Sequence, residues 1–216
     1  MSKRSELKDR IWGGIDPLVT DRPLVPDFQG WGSDHPYLTR AIDEVRPSVV
    51  VEVGVWKGGS VITMAERMRQ SGLDGVVIAV DTWLGAWDHW LQPYWLPHLR
   101  FENGYPAIFH TFASNVLTRD LAGLVLPLPL DSVNAMVVLR EHEVVADVVH
   151  VDGAHDYAAV TADLTAWWPL LRPGGVLIGD DYYPSKDTWP EVCQAFQDFF
   201  KTTEIEAVQG KCYIRK

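Results

Sequence analysis

The sequence predicts a doubly wound α/β fold, and three observations carry that prediction. Short valine-rich apolar runs recur along the chain, each bounded by Gly, Pro or charge, as buried parallel strands are. Segments of helical periodicity separate them, the alternation that builds a parallel sheet with helices on both faces. Two of the runs stop abruptly in carboxylates, in HVDGAHDY (150–157) and GVLIGDDYY (175–183). Open α/β sheets bind ligands at the carboxyl ends of their strands.

Residues 1–35 show little periodicity and several turn formers, among them Gly13, Gly14, Pro17, Pro23 and Pro26. They are expected to wrap the surface, cover the mouth of a site or meet a second copy in a homo-oligomer. Pro36 to Val45 reads as a helix that ends before Pro47, and Val49 to Val53 as the first strand. A tight turn over Gly54 to Ser60 leads into an amphipathic helix, Val61 to Gln70, stopped by Gly72. Val76 to Val80 is a second strand ending at Asp81.

Helix is then expected over Ala113 to Ala122, and strand over Val125 to Leu130 before Asp131 and Ser132. Asn134 to Arg140 suits a short helix and Asp147 to Val151 the fourth strand. Tyr157, Val160, Thr161, Leu164, Trp168 and Leu171 recur at helical spacing, and the RPGG of 172–175 closes that helix. Val176 to Gly179 is the fifth strand and Thr188 to Phe200 the last helix. Ile205 to Val208 and Cys212 to Ile214 pair as an antiparallel hairpin over Gln209-Gly210, giving seven strands in all.

The chain has 216 residues, enough for one well-filled core, and no linker or repeat divides it. Its net charge of −10 argues against a nucleic-acid partner, which favours clustered Lys and Arg. No apolar run of signal-peptide or membrane length follows the charged start, so a cytoplasmic protein is expected. Cys193 and Cys212 give no disulfide framework and read as small core residues. Ten Trp are present, and Trp83, Trp87, Trp90 and Trp95 crowd into 83–112 with further Tyr and Phe. The spacing of the first three suits one face of a core helix, whereas Pro93, Pro97, Gly104 and Pro106 suit an insertion that covers a substrate.

The first strand and its turn read Glu52-x-Gly54-x-x-x-Gly58-x-Ser60. Trp56 excludes the dinucleotide GxGxxG, and no Lys-Ser or Lys-Thr follows the glycines as a P-loop requires. Glycine is needed where backbone must approach a ligand closely, and Asp81 stands where a carboxylate reaches ribose hydroxyls. The plainer alternative makes Gly54 and Gly58 a tight turn and Asp81 a cap. With Asp-Ser after strand three and DGxHxY after strand four, this order resembles class I S-adenosylmethionine-dependent methyltransferases from about Pro36 to Lys216. The resemblance implies one Rossmann-like methyltransferase domain over 36–216. It places Glu52 and Gly54 at the methionine end of the cofactor, Asp81 on its ribose and Asp131 with Ser132 beside its adenine, with Gly58, Ser60 and Asp152 also among the cofactor-binding residues.

If the strands ending in Asp152 and in Asp180-Asp181 are neighbours about 4.8 Å apart, three acids converge, and such charges repel unless a cation joins them. Oxygen ligands favour Mg²⁺ or another hard divalent cation over Zn²⁺. His155, three residues after Asp152, is a side chain that accepts protons near neutral pH. The trio resembles the metal site of divalent-metal O-methyltransferases. His155 and the Asp-Asp pair are similar to bacterial enzymes that methylate sugars of macrolide and aminocoumarin antibiotics, with His as general base. A small-molecule hydroxyl, on a sugar or phenolic natural product, is then the expected acceptor. The competing expectation is a cofactor-binding relative of the same fold without this catalysis, with Asp180-Asp181 a solvated turn and His155 a helix-start residue.

Overall fold

The computed structural model describes residues 1–19, 24–184 and 188–216, so the turn former Pro23 lies outside the described residues. Valine-rich runs form β1 (Val49–Val53) and β2 (Val76–Val80), both wholly buried. They join β3 (Val125–Leu128), β4 (Ala146–Val151), β5 (Leu171–Tyr182), β6 (Glu206–Val208) and β7 (Gly210–Arg215) in one sheet of order β3-β2-β1-β4-β5-β7-β6. The first five strands are parallel; β7 runs antiparallel to β5 and to β6. The strand order reverses between β1 and β4, which opens a crevice at their carboxyl ends.

Around the sheet lie α1 (Lys3–Trp12), α2 (Pro36–Val45), α3 (Gly59–Gln70), α4 (Trp87–Leu91), α5 (Ile108–Thr118), α6 (Ser132–Glu141), α7 (Tyr157–Leu170) and α8 (Pro190–Phe199). Two apolar clusters fill the two faces. One holds Val51, Ile78, Val149 and Leu177 with Trp167 and Phe196; the other holds Val50, Val77, Val148 and Ile178 with Ile42, Met64 and Phe112. Successive strand residues therefore alternate between faces while both faces stay covered, which is why the runs read as continuously apolar. Cys193 and Cys212 are buried and free. Among the described residues no helix is long and apolar enough to cross a membrane.

The structure departs from the sequence expectation in several places. Helix α1 forms where none was expected, because six of its ten residues are charged and hide its apolar face; Ser2 caps it. It docks through Arg4, whose Nε donates to the Val125 carbonyl at 3.0 Å, and Trp12, whose Nε1 donates to that of Pro127 at 3.1 Å. Helix α5 starts at Ile108 rather than Ala113 and ends at Thr118. Strand β5 begins at Leu171, opposite Ala146, and 172–175 bulge out of the ladder before Val176 pairs with Val148. The aromatic stretch divides: Trp83 is buried against Phe109 and Phe112, whereas Trp87 and Tyr105 are more than 70% exposed. Gln209 and Gly210 both take positive φ and close the expected hairpin.

Candidate active site

Gly54 ends β1 with φ +83°, and a Cβ there would stand 1.9 Å from the Asp152 carbonyl oxygen at the end of β4. Only glycine lets the two strand ends meet this closely. Gly58 takes φ +87°, and its Cβ would press on the Phe112 ring at 2.7 Å. Between them the turn is held by Asp81. One of its oxygens accepts from Val55 N at 2.8 Å and Trp56 N at 2.9 Å, and the other accepts from Trp83 N at 2.7 Å. Burial raises the Asp81 carboxyl above its ordinary range, against the pull of these three N–H groups.

Glu52 lies beneath this turn, fully buried, and accepts from the Ser60 hydroxyl. Its other oxygen is 3.5 Å from His150 Nδ1, and neither atom has a hydrogen-bond partner among the described residues. Burial pushes the Glu52 carboxyl up to about 8 and His150 down to about 3. Glu52 and Ser60 therefore brace the turn from inside. Asp131 is exposed and caps α6 through Asn134 N at 3.0 Å. The Ser132 hydroxyl turns inward, donating to Asp163 and accepting from Trp167 Nε1 at 2.8 Å.

Strands β4 and β5 are neighbours, as the convergence of acids requires. Gly179 pairs with Cys212 and Tyr182 with Gly210, so β5 carries one extra residue over Asp180-Asp181. Such a bulge re-aims side chains, and Asp181 adopts φ +54°, an uncommon backbone for a non-glycine residue. Asp180 bonds the buried Lys211 ammonium. Asp181 instead faces His155, with Oδ2 and Nε2 2.8 Å apart. An oxygen from each of Asp152 and Asp180 and a ring nitrogen of His150 lie within 4.8 Å of one another. Asp152, Asp180, Asp181 and His155 all line one cavity of about 10 Å³, about the size of one water or ion. Burial and then the charge of Asp180 push the Asp152 carboxyl far above the ordinary range. A buried carboxylate destabilised by its acidic neighbours is the donor set that a hard cation relieves, so these residues fit a divalent metal.

The His155 ring stacks on Trp189, centroids 4.0 Å apart and planes 17° from parallel. Helix α8 thus closes over the DGxHxY loop, and Glu191 accepts from Tyr157 N at 2.8 Å. Within the glycine turn Trp56 packs on His89 at 4.5 Å and on Trp95 at 5.9 Å. Lys57, buried at the tip of the turn, reaches Asp27 and Gln29 at 2.6 Å and His98 at 3.1 Å. His35 caps α2 and bonds the Val208 carbonyl at 2.9 Å.

Sequence reasoning passed over His150, Lys211, Lys57 and Trp189. For the first two a signal was present: a lone ionisable residue inside an apolar strand run, DVVHV and GKCYI. The pairing of Lys57 and Trp189 depends on loops that periodicity does not address.

A parallel sheet that reverses at β1/β4, a glycine turn braced by strand-end acids and a carboxylate cluster beside it define a class I methyltransferase-type α/β domain. The methyltransferase domain family matches residues 51–182, more than half of the chain, and the chain belongs to it. The chain is 27% identical over 153 residues to the uncharacterised protein y4gI of Sinorhizobium fredii (strain NBRC 101917 / NGR234), spanning 15% of the length of that curated relative. The O-methyltransferase NovP has the same fold, with TM-score 0.61, 23% identity, and coverage of 83% of this chain and 78% of NovP. So has the O-methyltransferase TomG of Streptomyces achromogenes, involved in tomaymycin synthesis and solved in complex with SAM, with TM-score 0.60, 16% identity, and coverage of 89% and 84%.

Proposed function

We propose that the protein transfers the methyl group of S-adenosylmethionine to a hydroxyl of a small molecule, a sugar or phenolic natural product, with the aid of a divalent metal. The contact between His155 and Asp181 carries this reading: it sets an imidazole at the edge of the acidic cavity, which supports a proton-accepting role. The fit to the cofactor rests on the close glycine turn over Gly54–Gly58 and on the Asp81 carboxylate at the end of β2. The SAM complex of a protein with this fold supports the same assignment.

Asp152, Asp180 and Asp181 would hold the metal, Mg²⁺ foremost. When bound, S-adenosylmethionine supplies an already activated methyl group and the cation stabilises negative charge on the acceptor oxygen. The residues of the chain then align and deprotonate. An ionised Asp181 can only accept, so the Nε2 of His155 carries the hydrogen and Nδ1 the free lone pair. Nδ1 takes the hydroxyl proton, and Asp181 steadies the resulting imidazolium as the orienting acid of a triad does. Trp189 keeps the ring from rotating out. Glu52, Ser60 and Asp81 keep the Gly54–Gly58 turn in one shape, which fixes where the methyl group is presented. The exposed Trp and Tyr of 87–105, with Trp31 packed on Trp95 at 4.8 Å, form the acceptor-side cover.

Calorimetric titration with S-adenosylhomocysteine tests the cofactor half. Saturable binding that weakens in Asp81→Ala supports it, and no binding to the folded wild type contradicts it.

A further inference from the structure

The Lys211 side chain is 1% exposed, on β7 one strand away from the acids. Its ammonium donates to Asp180 and stands 3.3 Å from His150 Nε2. Glu52 also acts on it, and Gly32, where a Cβ would come within 3.5 Å of Lys211 Cε, closes over the stem. The groups around it are Asp152, Asp180 and Glu52, the imidazoles of His150 and His35, and the Tyr183 phenol. A buried ammonium is strongly destabilised unless paired, so its position here is a built feature. The reading of the acids as metal ligands leaves it without a role.

We propose that Lys211 is the resident counter-cation of the carboxylate cluster: it lets the half-buried Asp152 and Asp180 stay side by side when no metal is bound, and it lowers the affinity of the site for metal. This rests on the reading of Asp152, Asp180 and Asp181 as metal ligands. Those three charges, offset by one ammonium, leave two, which a divalent ion neutralises. Without Lys211 three would remain, and the metal-free protein would hold uncompensated acids side by side. Removing the ammonium therefore costs the metal-free state more than the loaded one. By linkage the variant binds metal more tightly.

The test is titration with Mn²⁺, free ion counted by electron paramagnetic resonance, on the full chain as wild type, Lys211→Met and Lys211→Arg. Thermal unfolding in EDTA is followed in parallel. A unit charge removed a few ångströms from a cation changes its affinity by roughly tenfold or more, so Lys211→Met should bind Mn²⁺ at least about tenfold more tightly than wild type, while Lys211→Arg stays near it. In EDTA, Lys211→Met should melt well below wild type, and Asp180→Asn added to it should recover much of the loss. If Lys211→Met folds only with Mn²⁺ present, the proposal is supported in its extreme form. Mn²⁺ binding by wild type that is unchanged or weaker in Lys211→Met overturns this inference alone. Absence of Mn²⁺ binding in both overturns it together with the metal reading.

Discussion

Asp180 and Asp181 are adjacent in the chain yet serve different partners, Asp180 the Lys211 ammonium and Asp181 the His155 imidazole. The extra residue in β5 and the left-handed backbone of Asp181 separate the two side chains. One acid is tied to the buried ammonium, and the other holds the His155 ring.

That division predicts distinct losses. His155→Ala should slow methyl transfer by about 10²–10⁴-fold, the usual contribution of a positioned acid or base, with Mn²⁺ binding and cofactor affinity retained. Loss of metal together with activity would make His155 a ligand instead.

Trp189→Ala tests the stack. The His155 ring would lose its packing but keep its bond to Asp181, so the rate should fall by less than in His155→Ala, with acceptor and cofactor binding little changed. A variant as slow as His155→Ala would give Trp189 a direct part in holding the acceptor.

Asp81→Ala removes three hydrogen bonds to the backbone of Val55, Trp56 and Trp83 as well as the proposed ribose contact. S-adenosylhomocysteine affinity should fall by about 1.5–3 kcal/mol, the range for a charge-assisted bond, and Gly54→Ala should abolish it through collision with Asp152. Calorimetry that finds Asp81→Ala unchanged would refute the ribose assignment.

Asp163 gives a pH prediction. Burial raises its carboxyl from an ordinary 3.8 to about 6, with the Ser132 hydroxyl opposing the rise. The folded state therefore prefers the protonated acid. The stability linked to this group is highest below about pH 4, falls between about 4 and 6, and is level above. Relative to Asp163→Asn, wild type should lose at most about 3 kcal/mol across that window. Thermal unfolding of both at pH 4 and 7 checks this, and a gap that does not change with pH would contradict it.

The strands of the sheet were legible because burial on both faces leaves a continuous valine run, and their acidic ends because charge interrupts it. The hairpin was legible from Gln209-Gly210. Helix α1 was not, since its docking depends on Arg4 and Trp12 reaching strand carbonyls rather than on an apolar stripe. The convergence of Asp152 and Asp180 followed from strand adjacency, but the bulge that turns Asp181 toward His155 is a matter of β5–β7 register, which local pattern does not encode. The inward turn of Ser132 and the brace made by Glu52 likewise depend on α7 and β4.

The most direct test of the account is methyl transfer from labelled S-adenosylmethionine to a panel of glycosylated and phenolic hydroxyl acceptors, with Mg²⁺ and with excess EDTA. Transfer to oxygen that needs Mg²⁺, is lost in EDTA and returns when Mg²⁺ is restored is the predicted result. Transfer at full rate in excess EDTA would contradict it.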